Sequence, residues 1–72
     1  MTTLGNRLRE LRKEKGLYQK DLASLLDITI RGYQVYEEDK NYPILDKIIF
    51  LADYYNVSLD YLCGRSDKRE RE

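Results

Sequence analysis

A chain of 72 residues has room for one domain and one modest core, because chains this short bury only about 60% of the surface they expose when unfolded. A single cysteine and no histidine exclude a disulfide framework and the usual Cys/His metal sites, so stability has to come from helix packing or from a partner. The formal charge is zero, yet it is unevenly spread: residues 1–20 carry six basic and two acidic side chains, and residues 27–46 carry two basic and five acidic ones.

No apolar run approaches the ~20 residues needed to span a bilayer, and the N-terminus has no signal-peptide core. A cytoplasmic protein is expected. The lone Cys63 reads as a small buried hydrophobe in a reducing compartment.

In chain order, Leu4, Leu8 and Leu11 recur on one face of a 3.6-residue period and predict a helix from about Leu4 to Lys15. Gly16 supplies a left-handed terminator. A second, short helix is predicted over Gln19 to Leu26, with Leu22, Ala23, Leu25 and Leu26 as its apolar set. Asp27-Ile28-Thr29 is a turn, and the Thr29 hydroxyl is suited to cap the next helix. That third helix is predicted from Ile30 to Glu38, with Tyr33 and Tyr36 on one face.

Lys40-Asn41-Tyr42-Pro43 is a loop, since proline disfavours helix in the residue before it. A fourth helix follows over Leu45 to Tyr55, its core stripe being Leu45, Ile48, Leu51, Ala52 and Tyr55. Tyr33, Tyr36 and Tyr55 are expected in the core with their hydroxyls at its edge. After a break at Asn56-Val57, Ser58 caps a last short helix containing Leu59, Tyr61, Leu62 and Cys63. Gly64 to Glu72 is polar and charged. The expected organisation is one all-α domain over residues 1–63, a compact bundle of five helices, with a flexible tail over 64–72.

Two short helices joined by a tight turn have the plan of a helix-turn-helix. The segments Leu17-Tyr18-Gln19-Lys20-Asp21-Leu22-Ala23, Ile28-Thr29, Tyr36-Glu37, Pro43, and Leu51-Ala52 through Val57-Ser58-Leu59-Asp60-Tyr61-Leu62 resemble the lambda-repressor-like (Xre/Cro) helix-turn-helix family. The resemblance runs from about Leu4 to Arg65. It implies a domain that binds double-stranded DNA and places its third helix in the major groove, which is about 12 Å wide and shows a distinct pattern for each base pair.

By that resemblance, Arg31 and Gln34 are the expected base-reading side chains. A guanidinium fork suits guanine O6 and N7, and a carboxamide suits adenine. Ile30 and Val35 match positions that face DNA and would touch thymine methyl groups, although Val35 is equally suited to the core. Gln19 matches a position that contacts a phosphate or supports the reading side chains, and Thr29, with Lys40 and Asn41 in the loop, matches positions that contact the backbone. Capping alone would also account for Thr29, and plain solvation for Lys40 and Asn41. Glu37 and Arg12 match a structural ion pair between the first and third helices.

The sequence departs from the family pattern at Tyr18, where a capping residue is usual, at Asp27 and Asp39, where glycine is usual, and at Ile44. Gly32 inside the third helix either lets the backbone approach DNA or is simply tolerated. Glu38 and Asp39 would repel phosphate, so both are expected to point away from a duplex.

The resemblance further implies a bacterial or phage-encoded repressor, associated with the nucleoid, that binds a two-fold operator as a homodimer. Tyr54, Tyr61, Leu62 and Cys63 are candidates for a dimer patch on the C-terminal helices. No catalytic residue, cofactor, metal or small-molecule ligand is expected: there is no Gly-rich phosphate loop and no nucleophile with an evident base, and Glu37 and Glu38, being adjacent, do not face each other on a helix. Two alternatives stay open. The fold would serve as a protein-interaction module without DNA, or the chain would be the N-terminal part of a longer repressor.

Overall fold

Three of the helices start on a side chain that satisfies an otherwise unpaired backbone donor. The hydroxyl oxygens of Thr3, Thr29 and Ser58 accept from the N–H groups of Asn6, Gly32 and Tyr61 at 3.1, 3.0 and 3.0 Å. The structure, a computed structural model, describes residues 2–71. Its elements are α1 (Leu4–Glu14), α2 (Gln19–Leu25), α3 (Ile30–Glu37), α4 (Leu45–Tyr55) and α5 (Leu59–Leu62), and no strand occurs among the described residues. The chain is all-α with five helices, as the periodicity indicates.

Tyr18 offers α2 no side-chain cap; instead the Asp21 carboxylate accepts from the Tyr18 N–H at 2.8 Å. The connections turn on residues with positive φ, namely Gly16 at 67°, Asp27 at 56°, Asp39 at 58° and Asn56 at 54°. Aspartate and asparagine tolerate this region better than other side chains do. Past Asn56, the Val57 N–H returns to the Ala52 carbonyl at 3.0 Å and closes the end of α4.

Every helix contributes to one core, formed by Leu4, Leu8, Leu11, Leu22, Ala23, Leu26, Tyr33, Leu51, Ala52, Tyr55, Val57, Tyr61 and Leu62. Several apolar residues expected inside are outside. Leu45 is 64% exposed, Leu25 45% and Leu59 44%, and Cys63 is also exposed. Each lies at an element end, where the neighbouring helix no longer covers it. The tyrosine hydroxyls differ as well: those of Tyr33 and Tyr55 are buried, with no hydrogen-bond partner among the described residues, rather than placed at the edge.

Burial pushes both of these phenols well above the ordinary tyrosine range. Because the folded state holds them neutral, stability is fully present below the unfolded pKa of about 10 and is lost as pH rises above it, by up to about 1.4 kcal/mol per pH unit per tyrosine. The urea midpoint is therefore expected to drop steeply between pH 10 and pH 11. Tyr33→Phe, which removes an unpartnered hydroxyl, is expected to match the parent at pH 7 and to soften that drop. An alkaline profile identical in parent and variant would refute this.

The charged segment after α5 lies against the body of the fold. The Ser58 N–H donates to the Arg69 carbonyl at 2.9 Å, and Arg7 donates to Asp67 at 2.9 Å. Arg69 donates to the Tyr61 hydroxyl at 3.1 Å and to Glu14 at 2.8 Å, and Arg71 pairs with Asp53. Arg7 is itself buried, with its guanidinium carbon 3.7 Å from the centre of the Tyr61 ring. Most of these pairs are solvent-exposed and contribute about 0–1 kcal/mol each. Met1 and Glu72, the outer ends of the two expected segments, lie outside the described residues.

Candidate nucleic-acid interface

Helices α2 and α3 pack together across a turn that begins at Leu26, the C-cap of α2, passes through Asp27 in left-handed geometry and ends at Thr29, the N-cap of α3. The Ile28 N–H reaches back to the Ala23 carbonyl at 3.0 Å and ties the turn to α2. Thr29 is occupied locally: its Oγ1 accepts from the Gly32 N–H, and a Cβ on residue 32 would stand 3.1 Å from that oxygen. Gly32 thus has a local structural reason, namely room for the cap.

Behind α3 sits a buried carboxylate. Glu37 is only 2% exposed and receives a two-pronged bond from Arg12, with Nε at 2.7 Å and Nη2 at 3.2 Å. The remaining arm of Arg12 donates to the Leu17 carbonyl at 3.0 Å. Arg9 donates to the Glu37 carbonyl at 3.2 Å. Burial alone would raise the Glu37 pKa, but hydrogen bonding, above all from Arg12, outweighs it and holds the carboxyl below its ordinary range. One carboxylate therefore joins α1, α2 and α3.

From that carboxylate a chain of polar contacts leads to the surface. Gln19 Nε2 donates to Glu37 Oε1 at 3.2 Å, Gln34 Nε2 donates to Gln19 Oε1 at 3.2 Å, and Arg31 Nη1 lies 3.4 Å from Gln34 Oε1. The expected site residues Gln19, Gln34 and Arg31 are thereby brought together. Ile30 is exposed at the first turn of α3, while Val35 is half-buried. Thr29 is exposed beside them. Lys40 and Asn41 are exposed in the following loop, where Asn41 Oδ1 accepts from the Tyr42 N–H at 3.0 Å.

The two acidic residues at the end of α3 part ways. Asp39 turns back to the start of α1, accepting from the Gly5 N–H at 2.9 Å and from the Thr3 hydroxyl at 2.6 Å. It thereby faces the start of α1. Glu38 instead lies 3.3 Å from Arg31 and 3.6 Å from Lys40, on the same side as the expected reading residues. The seven-residue spacing of Arg31 and Glu38 was the available signal, since it stacks them two turns apart on one helix face.

The arrangement defines a small helix-turn-helix domain whose third helix presents a polar, partly pre-oriented edge. Its sequence relations agree. A family described as a helix-turn-helix domain matches residues 5–67, and the chain belongs to that family. The HTH-type transcriptional regulator ImmR of Bacillus subtilis is 40% identical over 65 residues, covering 90% of this chain and 51% of the relative. The cryptic phage CTXphi transcriptional repressor RstR of Vibrio cholerae is 32% identical over 59 residues, covering 82% of this chain and 53% of the relative. The crystal structure of a transcriptional regulator from Listeria innocua superposes with a TM-score of 0.84 at 30% identity, over 97% of this chain and 65% of that one. The chain thus spans about half the length of these two curated relatives.

Proposed function

We propose that this chain is the DNA-binding part of a transcriptional regulator, a repressor, that reads double-stranded DNA with α3 in the major groove. The observation that carries this reading is the relay from Arg12 and the buried Glu37 through Gln19 to Gln34 and Arg31. It holds a carboxamide and a guanidinium, the two side chains best suited to adenine and guanine edges, on a short helix packed rigidly against its neighbours. Ile30 at the helix start adds an apolar contact for thymine methyl groups. Lys40, Asn41, Gln19 and Thr29 flank the edge as backbone contacts. The names of the similar proteins, two regulators and a repressor, support the same reading.

Such a regulator would act in the cytoplasm, and no helix among the described residues is long and apolar enough to cross a membrane. It would bind a two-fold operator as a homodimer, with its recognition helices about 34 Å apart. Tyr61 and Leu62 face the core and are not available for the dimer patch. The exposed apolar residues of the C-terminal helices are instead Leu45, Ile49, Phe50 and Leu59.

The test is selection of bound duplexes from a random-sequence pool, repeated with the Arg31→Ala/Gln34→Ala variant. Each bidentate base contact discriminates by about 1–3 kcal/mol, so the parent is expected to enrich a two-fold motif that relaxes at two positions per half-site in the variant. No enrichment by the parent at low salt would overturn the reading and turn the search to protein partners.

A further inference from the structure

One carboxylate serves both cations of the acidic stretch that contains α3. Glu38 Oε2 lies 3.3 Å from Arg31 Nη1, and Glu38 Oε1 lies 3.6 Å from Lys40 Nζ. Arg31 and Lys40 are the only basic residues between positions 27 and 46. They are also the side chains to which the proposed function gives a base contact and a phosphate contact.

The cluster does little for the fold. The side chains of Arg31, Lys40 and Glu38 are 62%, 67% and 38% exposed, and exposed pairs of this kind contribute about 0–1 kcal/mol. Glu38 stands at the C-terminal end of α3, where the helix dipole disfavours an anion. Its neighbour Asp39 has a packing role at the start of α1; Glu38 has none, and among the described residues its side-chain partners are these two cations.

We propose that Glu38 is a specificity-determining residue, which competes with nucleic acid for Arg31 and Lys40 and so suppresses sequence-independent binding. This rests on the DNA-binding reading above. Sequence-independent affinity comes from cations that neutralise phosphates and release counterions. On a duplex that offers Arg31 no guanine edge, the guanidinium keeps its internal acceptor and makes no phosphate contact. On a duplex that offers guanine O6 and N7, a two-pronged bond replaces the one to Glu38. The carboxylate therefore weakens binding to the wrong sequences more than to the right one.

The experiment measures binding of the parent, Glu38→Gln and Glu70→Gln to a random-sequence duplex and to the duplex selected by the parent, across a series of salt concentrations. Glu70 is an exposed carboxylate in the C-terminal segment, so Glu70→Gln makes the same change in net charge away from the cluster. Glu38→Gln is expected to bind the random duplex about tenfold more tightly at low salt, with a salt slope steeper by about one to two. Its preference for the selected duplex is expected to fall, while Glu70→Gln stays near the parent.

Equal slopes and equal preference in all three proteins would overturn the proposal. Loss of the selected site without any gain on the random duplex would also overturn it, and would make Glu38 a direct contact instead. If the parent binds no duplex at low salt, the DNA-binding reading fails for the parent. A duplex affinity that then emerges in Glu38→Gln alone would still uphold the competition, and its absence there too would overturn both.

Discussion

Glu37→Ala is expected to lower folding stability by about 3 kcal/mol, because it leaves the partly buried Arg12 guanidinium without its counter-charge. Arg12 loses two of its three hydrogen bonds, and Gln19 loses the acceptor that orients it. Small domains have total stabilities of only about 5–15 kcal/mol, so the variant is expected to lose a large share of its stability. Urea denaturation of parent and variant checks this, and equal midpoints would show that the pair contributes nothing.

The same pair sets an acid limit. The folded-state pKa of Glu37 is depressed, so the stability it contributes is present above its unfolded value, about 4.3, and is lost as pH falls below that. Replacing both partners by apolar residues of similar volume, Arg12→Met with Glu37→Leu, is expected to restore much of the loss from either single change. That double variant would still lack the anchor for Gln19 and Gln34. Stability and base reading would then come apart, with a folded domain that discriminates poorly between sequences.

Gly5→Ala is expected to destabilise the domain by about 1–3 kcal/mol, the usual cost of overpacking a tight contact. Helix propensity alone predicts the opposite, since alanine is favoured over glycine within a helix by about 1 kcal/mol. The difference comes from the end of α3. A Cβ at residue 5 would stand 2.6 Å from the Glu37 carbonyl oxygen and 2.6 Å from Asp39 Oδ2. The first of these is backbone and cannot swing away. Moving α1 outward would also break the Gly5 N–H bond to Asp39, which joins the start of α1 to the left-handed turn after α3. A thermal melt reads the sign directly. A melting temperature above the parent's would mean that α1 and α3 do not approach this closely.

Much of this protein was legible in its sequence. Apolar spacing, together with Thr29 and Ser58 as caps and Gly16, Asp27, Asp39 and Asn56 as turn residues, is local information, and it suffices to set five helices and their ends to within a residue. Arg12 and Glu37 were legible as partners only through the family pattern, because they stand on different helices and no spacing rule connects them.

What lay beyond the sequence was decided where elements meet. Periodicity states which side chains share a face, not which neighbour covers it. Leu45 begins its stripe and stays in solvent, while Val57, which reads as part of a break, is buried. Gly5 reads as an ordinary helical glycine until the carbonyl of Glu37 is seen beside it. Asp39 and Glu38 are neighbours of the same charge, yet the left-handed turn sends one to cap α1 and leaves the other beside Arg31 and Lys40. The sequence by itself determined the helices, because caps, turns and apolar spacing act within a few residues. Only the tertiary structure decided how side chains of different helices cover and approach one another, because those contacts form through space, where helices distant in sequence cross.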